Sequence, residues 1–186
     1  MTASRLRFLA LNIWLSRSLD SIPPLTSDRL RLQGVCRARL PSLDALFASA
    51  PRDVRPTRDL RSLYESHGNR LALIAESCSD AGWEVAAADL YYFNERDGKE
   101  STIHEGLLFV REPFRSLGIS NAMRRHALAH FGQQGICGIS TRIRQSNTRS
   151  LRSAEACGFR IVESRFLPDL SDIEHYMIAR AGNSSK

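Results

Sequence analysis

A short stretch in the second half of the chain, LLFVREPFRSLGIS (residues 107–120), joins an apolar run to a turn and then to a helix-like segment. The turn contains the small residues Ser116, Gly118 and Ser120. At the start of a helix several backbone N–H groups lack partners, and the helix dipole adds partial positive charge. Small side chains would let a phosphate reach those groups, so the stretch predicts a pyrophosphate-binding turn. The alternative is that Gly118 only permits a tight strand-to-helix connection.

Histidine and cysteine side chains could bind a metal, but their spacing argues against it. His126 and His130 stand four residues apart without the glutamate of an H-E-x-x-H pattern, and Arg124 and Arg125 would repel a cation. The four cysteines are Cys36, Cys78, Cys137 and Cys157. Because they are far apart and form no C-x-x-C pair, we expect buried, reduced thiols and no metal site.

From about residue 70 the chain alternates between strand-like and helix-like patterns. RLALIAES, WEVAAADLYYFN and TIHEGLLFV are rich in β-forming residues, and the last two flank the polar turn ERDGKES as in a hairpin. An amphipathic helix follows over GISNAMRRHALAHFGQQG, then a strand, a helix that begins near Asn147 and ends before Gly158, and two strands. The predicted order is β-β-β-α-β-α-β-β.

The N-terminal third is harder to assign. Prolines interrupt residues 20–66 and leave short helical pieces such as PSLDALFASA. The run RLRFLALNIWLSRS predicts a first strand or helix, with an organelle transit peptide as the alternative. No segment has the length and apolarity of a membrane span. The dispersed, reduced cysteines favour a cytoplasmic protein.

Composition favours a soluble globular domain with an anionic ligand. Lys99 and Lys186 are the only lysines among 26 basic residues, and the formal net charge is +6. This positive charge favours anionic ligands, including nucleic acid and the phosphates of a nucleotide cofactor. The base composition of the genome explains the excess of arginine equally well. No run of five like charges marks a nucleic-acid-binding arm, so nucleic acid is the less favoured partner.

Residues from about 70 to 165 resemble the GNAT superfamily of N-acetyltransferases in two places. VREPFRSLGIS is similar to the family's acyl-CoA signature, R/Q-x-x-G-x-G/A after a strand that ends in valine, with Arg115 first and Gly118 as the central glycine. QSNTRSLRSAEACGFRIVESR is similar to a second landmark, in which Asn147 precedes a short helix and Gly158 follows it.

The resemblance implies an α/β (α+β) fold with a mixed, mainly antiparallel central sheet flanked by helices. Residues 1–66 would form the N-terminal strand and helices on the acceptor side, and residues 67–182 the acyl-CoA-binding core. The cosubstrate would be acetyl-CoA or another acyl-CoA. The resemblance assigns its binding to Phe109, Val110, Arg115, Ser116, Leu117, Gly118, Ile119, Ser120 and Asn147.

The sequence departs from the family pattern at three positions. Ser120 replaces the last glycine or alanine of the signature, and its hydroxyl could itself donate to a phosphate. Pro113 stands one position later than the usual proline. Ala154 replaces the tyrosine that often protonates the leaving thiolate. Because a thiol has a pKa of about 8.5, it leaves readily, and water or another side chain could protonate it.

The implied reaction is direct attack of an amine on the thioester, which needs a base beside the strand that ends in LLFV. His104 and Glu105 are the two candidates. Adjacent strand residues point to opposite faces, so at most one of them faces the substrate. Glutamate is the family's common base on this strand, whereas histidine has the pKa nearer neutrality. Deprotonation through water alone stays open.

The acceptor would be a primary amine on a small molecule, an amino sugar, a peptide or a protein, and a homodimer stays open. Tyr91, Tyr92 and Phe93 either line the acceptor pocket or belong to the core. Four arginines near the second landmark either meet the cosubstrate's 3′-phosphate or an acidic substrate, or form a solvated face: Arg142, Arg144, Arg149 and Arg152. The rival functions are a catalytically silent acyl-CoA-binding domain and a basic nucleic-acid-binding module.

Overall fold

The computed structural model describes residues 3–51, 54–80 and 82–182. The elements in chain order are α1 (Ala3–Ser16), β1 (Leu25–Thr26), β2 (Leu30–Gly34), α2 (Leu40–Ala48), α3 (Arg58–Leu71), β3 (Ala72–Ser79), β4 (Gly82–Tyr92), α4 (Glu95–Glu100), β5 (Thr102–Val110), α5 (Ile119–Gln133), β6 (Gly138–Arg144), α6 (Thr148–Ala156), β7 (Arg160–Leu167) and β8 (Asp172–Arg180). Single 3₁₀ turns precede α2, follow β5 and precede β8.

The eight described strands form one sheet in the order β1-β2-β3-β4-β5-β6-β8-β7. Neighbouring strands are antiparallel except for β5 and β6, which are parallel. Tyr91 packs against Phe131 of α5, while its neighbour Tyr92 packs against Phe8 of α1. Since adjacent strand residues point to opposite faces, α1 and α5 cover opposite faces of the sheet. The predicted mixed, mainly antiparallel sheet flanked by helices is confirmed.

The element order predicted from residue 70 is confirmed, with one addition between β4 and β5. The predicted turn ERDGKES folds mostly as the short helix α4. The Asn94 side chain accepts hydrogen bonds from the backbone N–H groups of Arg96 and Asp97, and the Asp97 side chain accepts one from the Asn94 N–H. This reciprocal capping box explains why a polar, glycine-containing segment forms a helical turn.

The N-terminal third contributes to the same sheet through β1 and β2. Helix α1 packs against α3, and Arg5 binds Asp59 there. The Asn12 side chain of α1 accepts a hydrogen bond from the N–H of Phe93 at 2.6 Å and donates one to its C=O at 2.9 Å. These two hydrogen bonds attach α1 to the residue that follows β4. The N-terminal run that predicted a first strand or helix forms a helix.

The cysteines are free, as predicted, but the expectation that they are buried is wrong for three of the four. Cys157 is buried, whereas Cys36, Cys78 and Cys137 are exposed. These three lie at a strand end or in loops, where the surrounding chain offers no core to cover a small side chain. Among the described residues, no helix is both long and apolar enough to cross a membrane.

Candidate active site

A cleft opens where β5 and β6 separate. The two parallel strands pair from Thr102 with Gly138 to Glu105 with Thr141. Beyond that point β5 continues beside β4 to Val110, and β6 continues beside β8 to Arg144. The backbone of β5 beyond Glu105 therefore faces a gap instead of a neighbouring strand on its β6 side.

Gly106 forms an irregularity in β5 at the start of this gap. The register with β4 shifts between Leu90 and Tyr91, where Leu90 pairs with Leu107 and Tyr91 pairs with Glu105. A Cβ atom on Gly106 would lie 2.1 Å from Cε1 of Tyr92. A larger residue at this bulge would require the Tyr92 ring to move. The bulge redirects the strand as it enters the cleft.

The turn after β5 brings the start of helix α5 to the mouth of the cleft. Gly118 has φ +76° and immediately precedes α5, and Ser116 has φ +65°. Both residues lie in the left-handed region, which glycine adopts without strain. No side chain caps the first turn of α5, so its backbone N–H groups stay free for a ligand. A Cβ on Gly118 would have nothing within 4 Å, so the space above the turn is open.

A cavity of about 820 Å³ lies beside this turn. Most of the predicted cosubstrate residues line it: Phe109, Val110, Arg115, Ser116, Gly118, Ile119, Ser120 and Asn147. Leu117 does not line the cavity, and its side chain is 63% exposed. Arg149 and Arg152 of the four arginines considered above also line it, whereas Arg142 pairs with Glu174 outside it.

Asn147 acts mainly on the backbone of the second helix at the cavity. Its side-chain oxygen accepts a hydrogen bond from the N–H of Ser150, at 3.2 Å, and so caps α6. The first turns of both α5 and α6 line the cavity, so two positive helix ends face one space. This arrangement, with the nearby arginines, suits a ligand that carries several negative charges.

Several residues that line the cavity were not predicted from the sequence, among them Pro51, Val54, Asn121, Arg124 and Ser153. The first two come from the proline-rich N-terminal third, where no pattern indicated a site. Of the other three, Asn121 directly follows the first landmark, Arg124 lies one helical turn beyond it, and Ser153 lies within the second landmark. Helical spacing from Ser120 to Arg124 was the one signal that could have identified a residue of this group.

Arg124 and Ser153 connect the cavity to a buried ion pair. The Arg124 guanidinium donates from Nε to Oε1 of Glu105 at 2.8 Å and from Nη2 to Oε2 at 2.7 Å. Its Nη1 donates to Oγ of Ser153 at 2.9 Å, and Ser153 donates to Oδ1 of Asn121 at 2.7 Å. The side chains of Arg124 and Glu105 are 1% and 3% exposed. Both carboxylate oxygens of Glu105 are therefore occupied and shielded from solvent.

A second buried carboxyl group lies beside this pair. Asp89 is fully buried and accepts a hydrogen bond from the Tyr91 hydroxyl through Oδ2. Its Oδ1 has no hydrogen-bond partner in the described part of the chain. Burial, and secondarily the negative charge of Glu105, raise the pKa of Asp89 well above its usual range. The group is a buried element of the core next to the ion pair, and it does not line the cavity.

His104 lies on the opposite face of β5 from Glu105, with its ring 5.0 Å from that of Tyr92. Its Nδ1 lies 2.8 Å from Oγ of Ser140, which donates to Oδ1 of Asp97 at 2.6 Å. A hydroxyl has one hydrogen, so Nδ1 must carry the proton and donate to Ser140. Nε2 is then an acceptor, and it has no hydrogen bond to any described residue. Burial lowers the pKa of His104 and favours this neutral form.

The other residues singled out in the sequence have structural roles. Tyr91 and Phe93 are buried, and none of the aromatic residues 91–93 lines the cavity. Ala154 is fully buried and offers no acid at its position. His126 bonds the backbone oxygen of Pro23 at 2.8 Å. No group of three or more potential metal-binding side chains occurs in the described ranges.

Several solved structures share this fold. The ribosomal-protein-S18-alanine N-acetyltransferase from Escherichia coli is 14% identical, has a TM-score of 0.63, and the match covers 84% of this chain and 97% of that one. Arabidopsis thaliana Naa50 in complex with the bisubstrate analogue CoA-Ac-MVNAL is 19% identical, with a TM-score of 0.62 and coverage of 80% and 97%. The structure of yncA from Salmonella typhimurium with its cofactor acetyl-CoA is 14% identical and has a TM-score of 0.64. The match covers 86% of this chain and 98% of that one.

Comparison of the sequence with family models identifies the family of the chain. No curated protein matches the chain. The model of the acetyltransferase (GNAT) family matches residues 40–159, well over half of the chain. This span includes all of the first landmark and the second from Gln145 to Phe159. The resemblance seen in the sequence is thereby confirmed. The chain belongs to the acetyltransferase (GNAT) family and is an acyl-CoA-dependent N-acyltransferase.

Proposed function

We propose that the protein transfers an acetyl or other acyl group from acyl-CoA to a primary amine by direct attack in a ternary complex. The observation that carries this proposal is the convergence of two helix N-termini and three arginines, Arg115, Arg149 and Arg152, on one cavity at the end of the splayed strands. The pyrophosphate would lie on the first turn of α5, where Ser116, Gly118 and Ser120 leave the backbone accessible. The arginines would bind the remaining phosphate charge.

The thioester would lie in the cleft between β5 and β6. Backbone N–H groups of β5 beyond Glu105 that have no strand partner could donate to the oxyanion that forms on the thioester carbonyl. Fixed donors of this kind stabilise the transition state without reorganising during the reaction. The bulge at Gly106 would set the direction of these groups.

His104, rather than Glu105, is the better candidate for the base. Both oxygens of Glu105 are held by Arg124, so proton uptake there would break a buried ion pair. His104 has a neutral ring fixed by Ser140 and Asp97, with Nε2 left as an acceptor. We assign Glu105 a positioning role, in which it orients Arg124 at the cavity wall.

The reaction would proceed with one bond formed and one broken at the carbonyl carbon. The amine nitrogen loses a proton to Nε2 of His104, directly or through a water molecule, and forms the new C–N bond. The C–S bond then breaks and the thiolate of CoA leaves. Because Ala154 has no hydroxyl, the thiolate would take its proton from solvent, which its low basicity permits.

The acceptor is proposed only as a primary amine on a small molecule, an amino sugar, a peptide or a protein. The named acceptors of the similar structures belong to those proteins, and identities of 14% and 19% support the fold alone. Tyr92, half-buried beside His104, would be the first side chain of the β4 aromatic group to meet an acceptor.

Calorimetric titration with acetyl-CoA tests the cavity assignment. Gly118→Glu would place a carboxylate in the open space above the turn and should abolish binding by repulsion. Gly135→Glu is the matched control, because Gly135 also has positive φ, +81° against +76°, with nothing within 4 Å of its Cβ. Equal loss in both variants would refute the proposed pyrophosphate site.

Turnover separates the rival functions. Thiol release from acetyl-CoA, measured over a panel of primary amines, is expected for the wild type. Binding of acetyl-CoA without turnover of any amine would instead support a silent acyl-CoA-binding domain, which the absent tyrosine at Ala154 favours. Absence of acyl-CoA binding, combined with salt-dependent binding to nucleic acid, would support the basic nucleic-acid-binding module.

A further inference from the structure

Strand β7 forms one outer edge of the sheet and is exposed along almost its whole length. Among the described residues it pairs only with β8. Three of the eight exposed large hydrophobic residues in the described ranges lie within it, namely Ile161, Val162 and Phe166, and a fourth, Leu170, lies in the turn that follows. An edge strand of eight residues with exposed apolar side chains is a template for pairing with another strand. The opposite edge, β1, has only two residues.

We propose that β7 is the interface of a homodimer, in which the β7 strands of two copies pair antiparallel across a twofold axis and continue the sheet. The sequence of the strand, RIVESRFL, supports a second copy as the occupant because it is complementary to itself when reversed. Antiparallel pairing between identical strands is closed by twofold symmetry, so each contact occurs twice and no further edge is left for growth at this site.

Electrostatics select one register for this pairing. Directly opposite residues of an antiparallel pair share a face of the sheet, so the axis passes through one residue of the strand. With the axis at Ser164, Glu163 lies opposite Arg165 of the second copy. The strand bulges at Val162, so the regular alternation holds from Glu163 onward. An axis at Glu163 would oppose two glutamates, and an axis at Arg165 would oppose two arginines. Opposite charges stabilise cross-strand pairs and like charges destabilise them, which favours Ser164.

Contacts within the chain leave these charges available to a partner. Glu163 accepts from Nη1 of Arg96 at 2.6 Å through Oε2 only, and Arg165 lies 3.5 Å from Glu174. The side chains of Glu163 and Arg165 remain 56% and 64% exposed. A second carboxylate oxygen and several guanidinium N–H groups are thus free to bind across the axis.

Charge exchange at the two positions tests the interface and its register. Sedimentation over a concentration series should show a wild-type dimer. Glu163→Arg and Arg165→Glu should each weaken dimerisation by roughly 30-fold or more, because each places like charges opposite one another twice. The double variant Glu163→Arg/Arg165→Glu restores opposite charges and should dimerise within about threefold of the wild type. Asp28→Arg, at the other edge of the sheet, makes the same charge change as Glu163→Arg and should have no effect.

Hydrogen–deuterium exchange gives a test that needs no variant. Amide protection over Arg160–Leu167 should rise with protein concentration, while protection of β1 should not change. A wild type that stays monomeric with unprotected β7 amides would overturn the proposal. A dimer that tolerates both single variants, or a double variant as monomeric as the single ones, would also overturn it.

Discussion

Removing one partner of the buried Arg124–Glu105 ion pair should lower the free energy of unfolding. This loss of stability should be the main effect, ahead of any direct effect on acyl transfer. The two side chains are 1% and 3% exposed and share two short hydrogen bonds. Loss of one partner from such a pair costs about 3–5 kcal/mol, because the other charge stays buried without compensation. Glu105→Gln preserves the shape of the side chain and isolates this electrostatic effect.

The expected loss for Glu105→Gln is about 3 kcal/mol in the free energy of unfolding, at the lower end because Asp89 lies near Arg124. For a domain of this size, that corresponds to a melting temperature lower by about 6–12 °C. Arg124→Met leaves Glu105 buried and unpaired beside Asp89 and should cost a similar amount.

Urea unfolding followed by tryptophan fluorescence measures these losses, and acetyl-CoA turnover is measured on the same samples. The double variant Arg124→Met/Glu105→Leu, which replaces both charges by apolar groups, should recover most of the stability. If Glu105→Gln abolishes turnover while the free energy of unfolding changes by less than about 1 kcal/mol, Glu105 acts as a chemical group and the reasoning is wrong.

Three further substitutions test the environment of His104 and the bulge. His104→Gln should lower kcat by about 100- to 10,000-fold and remove the acid limb of the pH–rate profile, which lies below pH 6.5 because burial lowers the pKa of His104. Asp97→Asn should move that limb to still lower pH, since the Asp97 charge raises the pKa of His104, and acetyl-CoA affinity by calorimetry should not change. Gly106→Ala should destabilise the fold by about 1–3 kcal/mol in urea unfolding, because the new Cβ would lie 2.1 Å from Tyr92.

Local patterns of the sequence predicted the second half of the fold because its elements alternate with clear periodicity. The turn around Gly118 and the cap at Asn147 are local features, and each precedes a helix as expected. β1 and β2 were not predicted, since two- and five-residue strands leave little periodic signal. Helix α3 was also missed, although Thr57 caps it by accepting from the N–H of Leu60.

The side-chain partners at the site depend on contacts between distant segments. Glu105 and Arg124 are 19 residues apart, and His104 reaches Ser140 across 36 residues. No periodicity in one strand or helix indicates such pairs. The sequence could name His104 and Glu105 as two candidates on opposite faces, but only their partners distinguish a held carboxylate from an imidazole with a free nitrogen.

The short parallel contact between β5 and β6 also determines how the molecule would respond to mechanical load. Only four residue pairs join the two sides of the sheet there, whereas β6 and β8 share seven. Helix α5 spans this seam and packs against strands on both sides of it, β3 to β5 and β6. Contacts of α4 also cross the seam, from Arg96 to Glu163 and from Asp97 to Ser140. A force that pulls the two sides apart would therefore act on the four strand pairs together with α4 and α5, and the first rupture would run along the seam.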